Sequence, residues 1–377
     1  KYEENYMELG LNETQQMLKN SAHEFLQAEC PDTYVRAMEN DGSGHATEIW
    51  DKVAAQGWIG LMFPEKYGGF GLSFLDLTIL LEEMGRVMFP GPFFSTVIGG
   101  GLTLLIAGNE EQKQNYLPKL CEGQLIISLA VNEPDSYWDQ QSIKTVAKKS
   151  GNKYIINGTK AFVDNAHISD YIIIAAKTNN KISLFIAPSK SEGINQNLHK
   201  TIGSDKKSEL LINNLELSND AIIGELNEGW NYIKKIQEYG AVGKCAEMSG
   251  GSQEVLDMTV EYAKQRIQFG RPIGSFQAIQ HHCANMAIDV EGIKYLTHQA
   301  SWNLSERNDA KKEISIAKAW SSDAYQRVCA LGQVVHGAIG YTKEHNMQMY
   351  TRRAKSAELA YGDSKYHLEN IENIIGF

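Results

Sequence analysis

Arg266-Ile267-Gln268-Phe269-Gly270-Arg271-Pro272-Ile273-Gly274-Ser275-Phe276-Gln277-Ala278-Ile279-Gln280 is the stretch on which the reading of this chain turns. From residue chemistry alone it is a helix that breaks at Gly270-Pro272 and restarts, since proline lacks an amide donor and glycine resists helical order. On both sides, from Trp230 to Ile375, the text is helical and Pro272 is its only proline. Long amphipathic segments with few breakers suggest a helix bundle. Upstream, from Gln124 to about Gly224, the rhythm is different. Leu125-Ile126-Ile127-Ser128-Leu129-Ala130-Val131, Tyr171-Ile172-Ile173-Ile174, Ile182-Ser183-Leu184-Phe185-Ile186 and Glu209-Leu210-Leu211-Ile212 are β-type runs, and Tyr154-Ile155-Ile156 runs into Asn157-Gly158, a turn pair. Strands without intervening helices predict an antiparallel, barrel-like or sandwich domain of about a hundred residues. Further upstream, Asn12 to about Cys121 is helical again, with stops at Pro31, at Gly57 and in the loop Phe63–Gly71. The expectation is an α+β chain in three parts: an N-terminal helical domain (1–122), a central antiparallel β domain (123–224) and a C-terminal helical bundle (225–377).

Composition narrows the function classes. A formal net charge of −10 argues against a nucleic-acid surface, which needs clustered Lys and Arg. The most apolar stretch, Phe89 to Ala107, is broken by Pro90, Gly91, Pro92 and Gly99-Gly100-Gly101, short of the roughly 18–20 unbroken residues that span a bilayer. It reads as a turn leading into a buried helix. The five cysteines (Cys30, Cys121, Cys245, Cys283, Cys329) are scattered without metal-ligand spacing. Reduced, buried thiols in a cytoplasmic protein are the expectation, and no signal peptide or transit segment is read in these residues. His281-His282-Cys283 is no metal site, because adjacent side chains diverge on a helix. No G-x-G-x-x-G follows a strand and no Walker A loop is present, so any dinucleotide must be held by other means.

The Arg266–Gln280 stretch closely resembles the R-x-Q-F-G-x-P-I-x-x-F-Q-A-x-Q signature of the acyl-CoA dehydrogenase family. The resemblance runs along the whole chain. Pro64-Glu65-Lys66-Tyr67-Gly68-Gly69 looks like the family's P-E-x-Y-G-G loop, Asn157-Gly158-Thr159-Lys160 its N-G-x-K turn, and Gln333 to Tyr341 its Q-x-x-H-G-x-x-G-Y helix. It implies the family's order of helices, β domain and four-helix bundle, with FAD as cofactor, an acyl-CoA as substrate and an electron-transfer flavoprotein as acceptor. It also implies an oligomer, homo- or heteromeric and as a rule a dimer of dimers, with the flavin across a subunit interface. Arg266 is then expected on the FAD pyrophosphate, where a guanidinium fork grips two oxygens. Phe269 is expected to pack beside it, with Gln333 and Gly337 lining the adenine-side channel of a neighbouring subunit.

Three stretches depart from the family pattern. The usual A-L-T-E-P reads Ala130-Val131-Asn132-Glu133-Pro134, so Val131 and Asn132 take the flavin's pyrimidine edge, where an amide can still donate. The usual aromatic-I-T/S-N reads Phe162-Val163-Asp164-Asn165, which puts Asp164 where a hydroxyl faces flavin N5. A carboxylate there disfavours an electron-rich reduced ring unless it is protonated or turned away. The family's Y-E-G-T base loop reads Ala360-Tyr361-Gly362-Asp363, with Tyr361 in the glutamate's slot. A phenol of free pKa about 10 is a poor base near neutrality. A second family position for the base falls near Gly240-Ala241 and is also empty.

Glu247 is the candidate that remains. It sits in Ala246-Glu247-Met248-Ser249-Gly250-Gly251, with Gly240, Gly243, Gly250 and Gly251 at helical spacings around it. Each glycine costs roughly 1 kcal/mol in a helix, so several together need a packing or binding reason. One reading is tight helix packing with Glu247 bridged to Lys244. The other is a smooth substrate face, with Gly243, Tyr361 and Gly362 touching the acyl thioester and Glu247 removing its α-proton. A-E-x-x-G-G, E-P-x-x-x-W-D and a terminal Y-G-D together resemble the family branch that contains two-gene, heterotetrameric steroid side-chain dehydrogenases, whose base matches Glu247. Two alternatives stay open: a half-site partner subunit of a heteromer, and a flavin oxidase or N-hydroxylase on the same fold.

Overall fold

The computed structural model describes residues 10–135, 139–306 and 309–376. Helices α1 (Glu13–Glu29), α2 (Asp32–Asn40), α3 (Thr47–Ala55), α4 (Phe74–Arg86), α5 (Leu102–Ala107) and α6 (Glu110–Cys121) come first. Strands follow: β1 (Ile127–Ala130), β2 (Val146–Ser150), β3 (Lys153–Asp164), β4 (Tyr171–Thr178), β5 (Lys181–Pro188), β6 (Ile194–His199), β7 (Lys207–Ser218) and β8 (Ile222–Ile223). The chain closes with α7 (Gly229–Gln265), the short strands β9 (Ile267–Gln268) and β10 (Arg271–Pro272), and helices α8 (Gln277–Ser305), α9 (Lys311–His336), α10 (Met347–Leu359) and α11 (Ser364–Ile375). The result is the expected α+β order. Three helix starts share one device that is legible in sequence. At Asn12/Gln15, Ser73/Asp76 and Asn109/Gln112 the cap side chain accepts from the third helical amide, and that residue's side chain accepts in return from the cap's own amide.

The fold gathers into two compact units. One comprises Ala37–Leu72 and Pro90–Gly240. Its sheet runs β6-β7-β3-β2-β4-β5-β8, with β1 added beside β4. Neighbours are antiparallel except that β1 runs parallel to β4 along four residue pairs and β2 meets β4 parallel at Val146 and Lys177. The sheet is therefore mixed where the sequence predicted it antiparallel: β1 enters from a helix and not through a hairpin, and tight turns alone enforce antiparallel pairing. Ala130, Ile156, Ile172, Ile174, Phe185 and Leu210 belong to the core of this sheet.

Asn157-Gly158 is not the turn it resembles. It lies inside β3, at a register shift against β7, and Gly158 takes φ +156° with Thr145 so close that a Cβ would fall 2.3 Å from its hydroxyl. The bulge belongs to β7, where Asn213 and Asn214 (φ +51°) stand against the single Asn157 between the Ile156–Leu215 and Gly158–Ile212 pairs. Gly99-Gly100-Gly101 also has a specific job. It ends a fully buried π-helical turn, Ser95–Gly101, where a Cβ on Gly100 would stand 2.5 Å from the Ile127 side chain. The small residues let this turn lie directly on β1, the strand that leads to Val131 and Asn132.

The other unit comprises Lys1–Arg36, Ser73–Phe89 and Ala241–Phe377. Here α4 carries two successive buried carboxylates. Glu82 meets Lys19 at 2.6 Å and His298 at 3.4 Å, while Glu83 meets His23 at 2.9 Å. Arg86 extends the set to Glu254 at 3.1 Å and Asp257 at 2.9 Å. These bonds tie α1, α4, α7 and α8 together. Among the described residues no helix is long and apolar enough to cross a membrane, and no cluster of three or more His, Cys, Asp or Glu is placed to hold a metal.

Candidate active site

In the sheet-bearing unit, the residues expected at the flavin's pyrimidine edge are set by two adjacent chain segments. Beyond the end of β1, the Asn132 carbonyl accepts from the Ala161 amide at 2.9 Å. The Lys160 ammonium, fully buried, donates to the Val131 carbonyl at 3.1 Å and to Glu133 at 2.7 Å. Glu133 also accepts from the amides of Lys144 (2.7 Å) and Thr145 (3.0 Å). Burial works to raise the Glu133 carboxyl, but Lys160 and these donors outweigh it and hold it below the usual carboxylate range. The E-P and N-G-x-K motifs, far apart in sequence, are thus the two halves of one buried ion pair that fixes the Val131–Asn132 backbone. Trp138, quoted with them, lies outside the described residues.

A register shift between Lys160 and Val163 makes a bulge in β3, where Ala161 and Phe162 stand against Glu209. Phe162 sits in it with φ +53°, its ring mostly exposed. Bulges re-aim a side chain out of the alternating pattern. Asp164, two residues on, pairs with Lys207 directly across the β3–β7 ladder, Nζ to carboxylate 2.6 Å. The carboxylate is therefore matched by a cation, and the sequence-level objection to a negative charge near flavin N5 is met by a residue that sequence reading missed.

The helical unit holds the other residues. Arg266 follows α7 and opens the β9–β10 hairpin. Gln268 pairs with Arg271, so Phe269 (φ +53°) and Gly270 (φ +78°) are the two turn residues, both in the left-handed region. That is a type I′ turn, and it resolves the helix break expected at Gly270-Pro272. It also projects Phe269 into solvent, with 92% of the residue's surface exposed. On α9, Gln333 is buried and donates to Thr351 at 3.2 Å, while its Oε1 has no protein partner. Gly337 closes the helix at φ +67°, ψ −145°, with open space where a Cβ would stand.

Glu247 lies on α7 3 Å or less from a cation: its carboxylate accepts from Lys244 at 2.7 Å. Every residue from Gly240 to Ser252 is buried except these two. Some of the surrounding glycines serve close helix packing. A Cβ on Gly85 of α4 would fall 2.1 Å from the Glu247 carbonyl oxygen, and one on Gly250 would fall 1.7 Å from that of Glu82. Gly251 meets the Tyr325 hydroxyl. Gly85, Gly250 and Gly251 are packing glycines that bring α4 and α9 close to α7. Gly243 is buried on the same helix. Tyr361 (φ +56°) and Gly362 (φ +95°) form a strained turn between α10 and α11. Their carbonyls are held by His367 Nε2 at 3.0 Å and Lys318 Nζ at 2.8 Å.

Three successive family models cover the chain: the N-terminal, middle and C-terminal domains of acyl-CoA dehydrogenases match residues 12–124, 128–216 and 227–376. The chain belongs to the acyl-CoA dehydrogenase family. It is an oxidoreductase whose cofactor is FAD. Among curated proteins, this acyl-CoA dehydrogenase is 31% identical to the caffeyl-CoA reductase–Etf complex subunit CarC of Acetobacterium woodii, over 94% of this chain and 96% of that protein. It is 32% identical to the 3-(aryl)acrylate reductase of Clostridium sporogenes, over 84% and 87%. The solved butyryl-CoA dehydrogenase of Megasphaera elsdenii superposes with a TM-score of 0.91 at 26% identity, covering 98% of this chain and all of that one. The residues present fit FAD. Gln333 offers a buried amide oxygen without a partner, Gly337 leaves an open cradle, Phe269 projects a solvent-exposed ring, and Asp164 is neutralised by Lys207. No periodicity flagged Glu133, Lys207, Lys318 or His367, because their partners come from other segments.

Proposed function

We propose that this acyl-CoA dehydrogenase abstracts the α-proton of its thioester with Glu247, acts on a bulky or cyclic acyl group, and exchanges electrons with an electron-transfer flavoprotein. The observation that carries the assignment is the isolation of Glu247: in three turns of otherwise buried helix it and Lys244 alone keep access to solvent. The close approach of α4 at Gly85 fixes the helix backbone under it, and the 2.7 Å contact with Lys244 orients the carboxylate. Tyr361, in the slot of the usual base, has no comparable acid–base chemistry near neutrality.

In this reading the Glu247 carboxylate takes the α-proton while hydrogen leaves the β-carbon as hydride. Bound FAD supplies the two-electron acceptor. Arg266 and Phe269 would hold its pyrophosphate side and Val131, Asn132, Phe162 and Asp164 the ring, while Gln333 and Gly337 would line the adenine-side channel of a neighbouring subunit. Gly243, Tyr361 and Gly362 would bind the substrate, the turn's amides donating to the thioester oxygen where negative charge develops. The same positions serve the reverse reduction, since a forward and a reverse reaction share one transition state. The names of the two reductases above, acting on caffeyl-CoA and on arylacrylates, support a ring-bearing acyl group, and the first supports an Etf partner. The A-E-x-x-G-G helix supports membership of the two-gene branch and a heteromeric assembly. The three model matches support a division at 1–122, 123–224 and 225–377. A cytoplasmic setting, expected from the thiols, belongs to the same reading.

The test is turnover of 3-phenylpropionyl-CoA with a dye acceptor by the FAD-loaded protein. Glu247→Gln is expected to lower kcat about 10²–10⁴-fold while retaining the visible flavin bands. Full activity in that variant sinks the assignment.

A further inference from the structure

We infer that Lys318 and His367 are positioning residues that hold the Tyr361–Gly362 turn in its substrate-binding conformation. The inference rests on the proposal that this turn meets the thioester. Lys318 lies well inside α9 and is completely buried. An ammonium has three protons to donate, and here each has an acceptor: Ser322 Oγ at 3.0 Å, the Glu358 carbonyl at 2.9 Å and the Gly362 carbonyl at 2.8 Å. All three acceptors are neutral oxygens. The Glu358 carbonyl belongs to the last turn of α10, where carbonyls lack helical partners and a cation is favoured. One side chain therefore ends α10 and grips the turn that follows it.

His367 on α11 completes the grip. Its Nε2 lies 3.0 Å from the Tyr361 carbonyl and its Nδ1 3.4 Å from Ser315 Oγ. A carbonyl only accepts, so Nε2 carries the proton, and the Ser315 hydroxyl donates to Nδ1. Burial, with Lys318 nearby, pushes the imidazole down to about 4, so the ring is neutral at physiological pH. A trans peptide sets its N–H opposite its C=O. Holding the Tyr361 carbonyl inward therefore turns the Gly362 N–H away from His367, and holding the Gly362 carbonyl fixes the next amide in the same way. The turn needs such support. Tyr361 is a non-glycine residue at φ +56°, a sparsely populated conformation that persists only where its surroundings impose it. Gly362 cannot be replaced, since a Cβ would stand 2.4 Å from the Tyr366 ring and 2.8 Å from His367 Nε2.

The clamp has a built-in pH dependence. Lys318 faces Cys245 and Lys244 from α7, Glu358 from α10, Asp363 from the turn and His367 from α11. Burial lowers its ammonium to about 8, against the pull of Cys245, Glu358 and Asp363. Deprotonation leaves an amine with two donors for three acceptors and no charge to strengthen them. The folded value lies below the ordinary 10.5, so between about 8 and 10.5 this group's contribution to fold stability rises with pH. Loss of the turn's geometry over that range is then separable from unfolding.

The experiment compares FAD-loaded wild type with Lys318→Gln, His367→Gln and His367→Leu. It reads turnover of 3-phenylpropionyl-CoA from pH 6 to 9.5 and amide hydrogen exchange in the 358–367 segment. In Lys318→Gln, kcat is expected to fall at least about tenfold with KM changed less than threefold. Wild-type kcat should fall above about pH 8 as Lys318 loses its proton; in Lys318→Gln that fall should vanish, and exchange in the segment should quicken about tenfold. His367→Gln, which keeps a donor, should stay within threefold of wild type, whereas His367→Leu should not. Unchanged kcat and exchange in Lys318→Gln overturn the inference. Should that variant not fold, equal activity of His367→Leu and wild type overturns it. Glu247→Gln run in parallel separates the two proposals. An inactive Glu247→Gln beside unaffected clamp variants sinks the clamp alone, and a fully active Glu247→Gln sinks the base.

Discussion

Replacing Lys160 with methionine should be among the most damaging single changes in the sheet-bearing unit. The ammonium is fully buried, and the Glu133 side chain it meets at 2.7 Å is only 4% exposed. Methionine fills a similar volume but leaves a buried carboxylate that has lost its cation, although the amides of Lys144 and Thr145 still donate to it. Removing one partner of a buried ion pair costs about 3–5 kcal/mol, because the remaining charge is uncompensated. Loss of the donor to the Val131 carbonyl adds toward the upper end of that range. Val131 is only half-buried, so water replaces part of that bond. At about 1.4 kcal/mol per factor of ten, the lower figure corresponds to a shift of roughly 10²-fold in the folded-to-unfolded ratio. Equilibrium urea unfolding of wild type, Lys160→Met, Glu133→Gln and the double variant gives the cycle. The double variant, free of the stranded charge, is expected to be more stable than Lys160→Met, with a coupling energy of at least about 2 kcal/mol. FAD retention on gel filtration should fall in the single variant, since the Val131–Asn132 backbone loses its anchor. A Lys160→Met cost below about 1 kcal/mol, or strictly additive effects, would refute the reasoning.

Gly250→Ala places a Cβ 1.7 Å from the Glu82 carbonyl oxygen, so α7 and α4 must part; a loss of at least about 1–3 kcal/mol is expected in thermal or urea unfolding. Retention of wild-type stability would show that the helices yield without cost. Burial pushes the Glu82 carboxyl up, but His298 and Lys19 outweigh it and bring it to about 2, below the ordinary 4.5. Its stabilising contribution is therefore present above about 4.5 and is lost as pH falls toward 2. Unfolding followed between pH 5 and 2 should show a shallower pH dependence in Glu82→Gln than in wild type, and parallel curves would contradict the assignment.

Much of this protein was legible in one dimension because the physics that shaped it is local. Apolar spacing separates helix from strand, and the Asn12, Ser73 and Asn109 caps mark three helix starts. The Gly270-Pro272 break is a hairpin turn because two successive left-handed residues need no distant partner. The glycines around Glu247 were legible as a demand for close approach, but not as to what approaches: Gly250 faces the backbone of α4, more than 160 positions earlier in the chain. Asn157-Gly158 shows the converse failure: the pair continues within β3, and the extra residue lies on β7 at Asn213-Asn214, which only the β3–β7 register reveals.

The sequence by itself determined the α+β order, the family signature and the residues worth testing, since each depends on neighbours within a few positions. The tertiary structure alone decided the electrostatics. Lys207 neutralises Asp164 because two strands align them; Lys160 meets Glu133 because a bulged strand passes the end of β1; Lys318 and His367 grip Tyr361 and Gly362 because α9 and α11 flank one turn. Coulomb and hydrogen-bond energies depend on distance through space, and distance along the chain does not encode it.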